Sequence, residues 1–158
     1  MVLVLSSIMF SCSKEEENVL VPADFGPEFI YMYVTDEAGN DLVSEDVGLT
    51  LTWRNVTYEV KPSKNASDLA TRAYLPHLYG LYIEPSANPN EPSRIVFGEL
   101  SGSKSDDDFI LKWSDGSTNV IHYYAHLERT KNDYKLNRYW KLDEEMQKSN
   151  KFYFVKKK

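Results

Sequence analysis

The sequence predicts a mostly β protein, folded as a single antiparallel β-sandwich of seven or eight strands with at most one short helix. Three observations lead to this class. Short segments rich in aromatic and β-branched residues recur along the chain. Clusters of Gly, Asp, Asn and Ser separate these segments at short intervals. Several segments alternate apolar and polar side chains, which is the pattern of a strand with one buried face.

The first three strands are predicted from composition and alternation. EFIYMYVT (28–35) is rich in aromatic and β-branched residues, and DEAGND (36–41) supplies a turn after it. In VGLTLTWR (47–54) every second side chain is apolar. VTYEVK (56–61) follows almost at once, so the Arg54–Asn55 pair is predicted to turn a hairpin.

The middle of the chain contains the one helical candidate. Within residues 62–74, either Ser67 caps a short helix that runs to Tyr74, or the whole segment is a loop. Two further strands are predicted after it, at 78–85 and 94–100, with a polar loop between them.

The strongest hairpin signal lies in FILKWSDGSTNVI, where the Asp115–Gly116 pair separates two apolar segments. The polar stretch 101–108 before it, which includes DDD (106–108), is predicted to be a solvated loop. One or two closing strands are predicted within 133–144 and 151–157.

Two of these segments resemble known β domains. FIYMYVTDEAGNDLV resembles the first hairpin of carboxypeptidase-regulatory-like, transthyretin-like sandwiches, in which a strand enters a D-x-x-G-N turn. FILKWSDGSTNVI is similar to a strand–W-x-D-G–strand hairpin that recurs in surface lipoproteins of Bacteroidetes. The resemblance implies a sandwich of the immunoglobulin-like or transthyretin-like kind over residues 28–158.

The N-terminus carries an uncharged apolar run, MVLVLSSIMF (1–10), which is too short to span a bilayer. Ser11 and then Cys12 follow it, and together they resemble the lipobox of bacterial lipoproteins. The resemblance implies a signal peptide of residues 1–11 and acylation of Cys12, which would anchor the protein in a membrane. The alternative is a buried N-terminal strand in which Cys12 is a core residue.

The segment after Cys12 is charged. SKEEE (13–17) is similar to the Lys-then-acidic signal that sends Bacteroidetes lipoproteins to the outer leaflet of the outer membrane. Residues 12–27 are therefore predicted to be an acidic tether that leads to a domain at the bacterial cell surface. A generic polar linker that faces the periplasm is the alternative.

Composition and motifs exclude several classes of function. The formal net charge of −6 argues against nucleic acid as a partner. The sequence contains no G-x-S-x-G motif and no EF-hand pattern. On a strand, His122 and His126 would lie roughly 13 Å apart, at ~3.3 Å per residue, which is too far for one metal ion. The sequence predicts no catalytic residues, no metal and no cofactor.

Tyrosine is abundant, with 11 residues, several of them in clusters such as HYY (122–124) and RYW (138–140). Since neighbouring strand residues point to opposite faces, each cluster must place a ring on the outer surface or under a second packed layer. If an exposed aromatic platform binds a ligand, Trp113, Tyr123 and Trp140 are its predicted residues.

The sequence thus predicts a non-catalytic, lipid-anchored surface protein that acts as a binding or assembly component, with a glycan or a protein as its partner. Two alternatives stay open. One is a small envelope enzyme such as a glycan hydrolase, and the other is a structural subunit of a surface fibre that is completed by a partner's strand.

Overall fold

The computed structural model describes residues 26–43, 47–62, 80–88, 91–131 and 133–157. These residues form ten strands and contain no α-helix, so the predicted mostly β class is confirmed. No helix among them is long and apolar enough to cross a membrane. The strands are β1 (Glu28–Thr35), β2 (Thr50–Trp53), β3 (Val56–Lys61), β4 (Gly80–Glu84), β5 (Arg94–Leu100), β6 (Lys104–Lys112), β7 (Thr118–Arg129), β8 (Tyr134–Leu142), β9 (Glu145–Gln147) and β10 (Lys151–Val155).

All ten strands belong to one sheet, in the order β10-β1-β5-β4-β3-β2-β6-β7-β8-β9. The sheet curls into a half-barrel. Strand β3 keeps it continuous, because residues 56–59 pair with β2 while Val60 and Lys61 pair with β4. The predicted antiparallel sandwich of seven or eight strands is therefore corrected: the sheet has ten strands and is mixed, since β1–β10 and β3–β4 are parallel.

The core lies on the inner face of the curled sheet. Strand β10, at one end of the strand order, returns towards the other half of the sheet. Its Phe152 ring lies 5.9 Å from Trp140, and its Phe154 ring lies 4.9 Å from Trp113. The same strand exposes Tyr153 and Val155, because side chains alternate between the two faces.

Two hairpins confirm their predicted turns. Arg54 and Asn55 have φ of 48° and 65°, as a two-residue type I′ turn requires. At the second hairpin, Gly116 has φ of 81° and the Trp113 amide donates to the Ser117 carbonyl at 3.0 Å. The turn after β1 is also confirmed.

One predicted segment is wrong. The predicted loop 101–108 is largely strand, since β6 begins at Lys104 and includes all three aspartates. The closing strands predicted within 133–144 and 151–157 are confirmed as β8 and β10, while the short strand β9, which follows a turn at Asp143 and Glu144 with φ of 47° and 72°, was not predicted. The predicted signal peptide with Cys12, nearly all of the tether and the Ser67 segment lie outside the described residues.

Candidate functional site

The outer faces of β6, β7 and β8 bring polar and aromatic side chains together. Asp106 lies opposite Tyr124, Asp108 lies opposite His122, and Tyr124 in turn lies opposite Tyr139. We call this surface the outer patch. Its residues are alternate residues of these strands whose side chains point to the outer face, and they are Lys104, Asp106, Asp108, His122, Tyr124, His126 and Tyr139.

His122 lies between two aspartates at the centre of the outer patch. Its Nδ1 is 2.7 Å from Oδ1 of Asp108, and its Nε2 is 3.6 Å from Oδ1 of Asp106. A carboxylate can only accept a hydrogen bond, so Nδ1 carries the hydrogen that is shared with Asp108. Both aspartates are exposed, and they present carboxylate oxygens to solvent beside the imidazole ring.

Two tyrosine rings lie next to this cluster. Tyr124 and Tyr139 stack with their centroids 5.0 Å apart and an angle of 15° between their planes. The His122 ring lies 5.8 Å from Tyr139. Both tyrosines are only partly buried, so the patch combines flat apolar surface with polar groups at its side.

A cleft of about 450 Å³ opens at one end of the outer patch. Lys104 and His126 form one cross-strand pair in its wall, and Asp106 and Tyr124 form the other. The pair between them, Ser105 and Ala125, points to the inner face and leaves its backbone as the floor. Arg54 also lines the cleft, from the β2–β3 turn.

Asp107 fixes the position of Arg54. Its carboxylate is 8% exposed and accepts hydrogen bonds from Arg54 Nε at 2.8 Å and Nη2 at 3.1 Å. It also accepts hydrogen bonds from Trp53 Nε1 at 3.0 Å and Ser105 Oγ at 2.6 Å. The Arg54 guanidinium lies 4.6 Å from the centroid of the Trp53 ring. A buried carboxylate with this many donors holds a mostly exposed arginine in place.

The electrostatics of Asp107 follow from the same contacts. Burial alone raises the pKa of its carboxyl, because it disfavours the charged form. The hydrogen bonds from Arg54, Ser105 and Trp53, together with the Arg54 charge, outweigh burial and lower the pKa below its ordinary value. Asp107 is therefore ionised at neutral pH and neutralises part of the Arg54 charge.

The three predicted ligand-binding residues lie in the interior. Trp113, Tyr123 and Trp140 are 5%, 0% and 5% exposed. Tyr123 stacks on Trp140 with centroids 4.0 Å apart, and its hydroxyl donates to the Ser101 carbonyl at 3.0 Å. These rings do not offer the exposed stacking faces that were expected of them, and the rings at the surface belong to their neighbours Tyr124 and Tyr139.

The two histidines on β7 lie where the sequence placed them. His122 and His126 both face outward from a strand, so they do not converge on a shared ion. Within the part of the chain that the structure describes, no group of three or more His, Cys, Asp or Glu side chains could hold a metal ion.

No protein-family model matches this chain, and neither the curated proteins nor the solved structures include a significant match to it.

Proposed function

We propose that this protein is a non-catalytic glycan-binding component of a bacterial cell surface. Acylated Cys12 would hold it in the outer leaflet of the outer membrane, with residues 12–27 as the tether. The lipobox-like run before Cys12 and the acidic segment after it support the anchor. A tethered domain needs a surface that recognises its partner, and the outer patch is the surface that fits best.

The observation that carries the proposal is the stacked pair Tyr124–Tyr139 beside His122 and its two aspartates. A sugar ring has an apolar face of C–H groups, which packs on a flat aromatic ring. Its rim of hydroxyl groups donates hydrogen bonds to exposed carboxylates such as those of Asp106 and Asp108. Binding sites typically combine such apolar surface with a few placed polar groups.

The other half of the sheet provides a matched control. Tyr33 and Tyr153 also stack, with centroids 4.9 Å apart and an angle of 13° between their planes. That pair forms across β1 and β10, away from the outer patch. If stacking on any exposed tyrosine were enough for binding, both pairs would contribute equally.

The proposal is tested by applying the full chain in detergent to a glycan microarray. We expect binding to at least one glycan, and a loss of at least tenfold in affinity for both Tyr124→Ala and Tyr139→Ala. Tyr153→Ala should leave the affinity unchanged. Binding to no glycan would overturn the proposal, as would equal losses in all three variants. Turnover of the bound glycan would overturn its non-catalytic part.

A further inference from the structure

We infer that the cleft at the end of the outer patch receives a uronic acid unit, a sugar that carries a carboxylate. This inference rests on the proposed function, since it names the class of glycan that the outer patch would bind. The juxtaposition that carries it is a cleft with the pair Lys104 and His126 at one end and the pair Asp106 and Tyr124 at the other, and with the fixed Arg54 in its wall.

Lys104 provides an exposed cation in the wall of the cleft. Its side chain is exposed, and it forms no ion pair with any residue in the described ranges. Its cross-strand partner in the wall of the cleft is His126. In a chain with a formal net charge of −6, an exposed lysine beside a concave surface is a suitable contact for an anionic group.

Arg54 adds a positive charge that is already ordered. Its side chain is 65% exposed although it is bonded to the buried Asp107. A flexible side chain loses conformational freedom when it binds a ligand, and this cost is lower for one that is fixed beforehand. The Arg54–Asp107 pair therefore leaves an exposed, positioned guanidinium at the cleft.

The end of the cleft opposite Lys104 suits hydroxyl groups. Asp106 is exposed and accepts hydrogen bonds, and it lies opposite Tyr124, whose ring belongs to the stacked pair. A uronic acid ring carries its carboxylate at one end and adjacent hydroxyl groups at the other. This polarity matches a cleft with Lys104 at one end and an aspartate beside an aromatic ring at the other.

The size and charge of the cleft narrow the ligand class. A volume of about 450 Å³ lies within the roughly 300–1,000 Å³ typical of small-molecule sites. A neutral sugar would leave Lys104 unused.

The test compares uronic acid oligomers with their own neutral forms. The full chain in detergent is titrated with oligomers of galacturonate, glucuronate and mannuronate, each beside its carboxyl-reduced counterpart, which differs only in that group. We expect at least one acidic oligomer to bind at least tenfold more tightly than its reduced form. Lys104→Gln should reduce this preference to less than threefold without changing the affinity for the reduced form.

Lys112→Gln is the matched control, because Lys112 is an exposed lysine on the outer face of the same strand, away from the cleft. It should keep the full preference for the acidic oligomer. Equal binding of acidic and reduced oligomers, or an acidic preference that survives in Lys104→Gln, would overturn the inference and leave the proposed function standing. Tighter binding of sulfated than of carboxylated oligomers would also overturn it. Binding to no glycan would overturn both.

Discussion

Arg54 and Asp107, which are 53 residues apart in the chain, are joined by two hydrogen bonds between one guanidinium and one carboxylate. The contact links the turn of the β2–β3 hairpin to the interior of β6. It extends beyond the point where β2 stops pairing with β6, since that pairing runs only from Ile110 to Lys112. The same contact therefore joins the β2–β3 turn to β6 beyond their paired residues and holds Arg54 in the wall of the cleft.

Replacing Asp107 with Asn should lower the free energy of unfolding by about 1–3 kcal/mol at pH 7, because buried donors lose their charged acceptor. Urea denaturation followed by tryptophan fluorescence measures the change. Asp106→Asn is the control, since that carboxylate is exposed, and it should change stability by less than about 0.5 kcal/mol. Equal effects of the two substitutions would contradict the role assigned to Asp107.

The Asp107 carboxylate should also make the free energy of unfolding depend on pH. Its pKa is lower in the folded protein than in the unfolded chain, so the unfolded state takes up the proton first as the pH falls. The stabilisation is therefore complete above about pH 4 and is lost as the pH falls through the folded-state pKa. When the free energy of unfolding is measured between pH 7 and pH 2, it should fall less steeply at acid pH in Asp107→Asn than in the parent protein.

Glu144 occupies the second position of the β8–β9 turn with φ of 72°, a conformation that is unfavourable for a residue with a Cβ. Glu144→Gly should raise the free energy of unfolding by roughly 0.5–1 kcal/mol, as measured by thermal and urea denaturation. Glu144→Ala distinguishes relief of backbone strain from loss of the Glu144–Lys141 ion pair, because alanine removes that ion pair but keeps the strained φ. If alanine stabilised as much as glycine, backbone strain would not be the reason.

Strand β10 should contribute strongly to stability although it lies at the end of the strand order. Phe154→Ala removes a buried ring that contacts Trp113, and it should cost about 3–5 kcal/mol. Val155→Ala, at the exposed neighbour, should cost less than about 0.5 kcal/mol. Circular dichroism during urea denaturation gives both values. A small effect of Phe154→Ala would mean that β10 does not seal the core.

The anchor is tested at Cys12. Cys12→Ser should move the protein from the membrane fraction to the soluble fraction and abolish incorporation of a labelled fatty acid, because serine lacks the thiol that would be acylated. Ser13→Ala is the control and should leave both properties unchanged. A Cys12→Ser protein that stays in the membrane fraction would rule out the lipid anchor.

Much of the fold follows from local sequence patterns. The bounds of three strands, 28–35, 56–61 and 94–100, agree with the structure, because aromatic and β-branched residues fill these segments and turn residues end them. The Arg54–Asn55 turn was likewise predictable, since only two residues separate the two strands. These features depend on neighbours in the chain.

The predictions that were wrong concern residues whose conformation or facing depends on contacts with distant parts of the chain. Ser105 and Asp107 are typical of a loop, but they lie in β6, which pairs with β7 as far as Lys104. Trp53 and Arg54 donate hydrogen bonds to the buried carboxylate of Asp107 there. Alternation also predicted that Tyr123 and Tyr124 face opposite ways. Which of the two faces inward depends on the strand register, and local sequence does not specify it.

The parallel pairing of β1 with β10 joins the first and the last of the ten strands. A nascent polypeptide cannot form this pair, or enclose the aromatic rings that Phe152 and Phe154 cover, until residues 151–155 have left the ribosome. The part of the core that Phe152 and Phe154 cover therefore closes only at the end of synthesis of this domain.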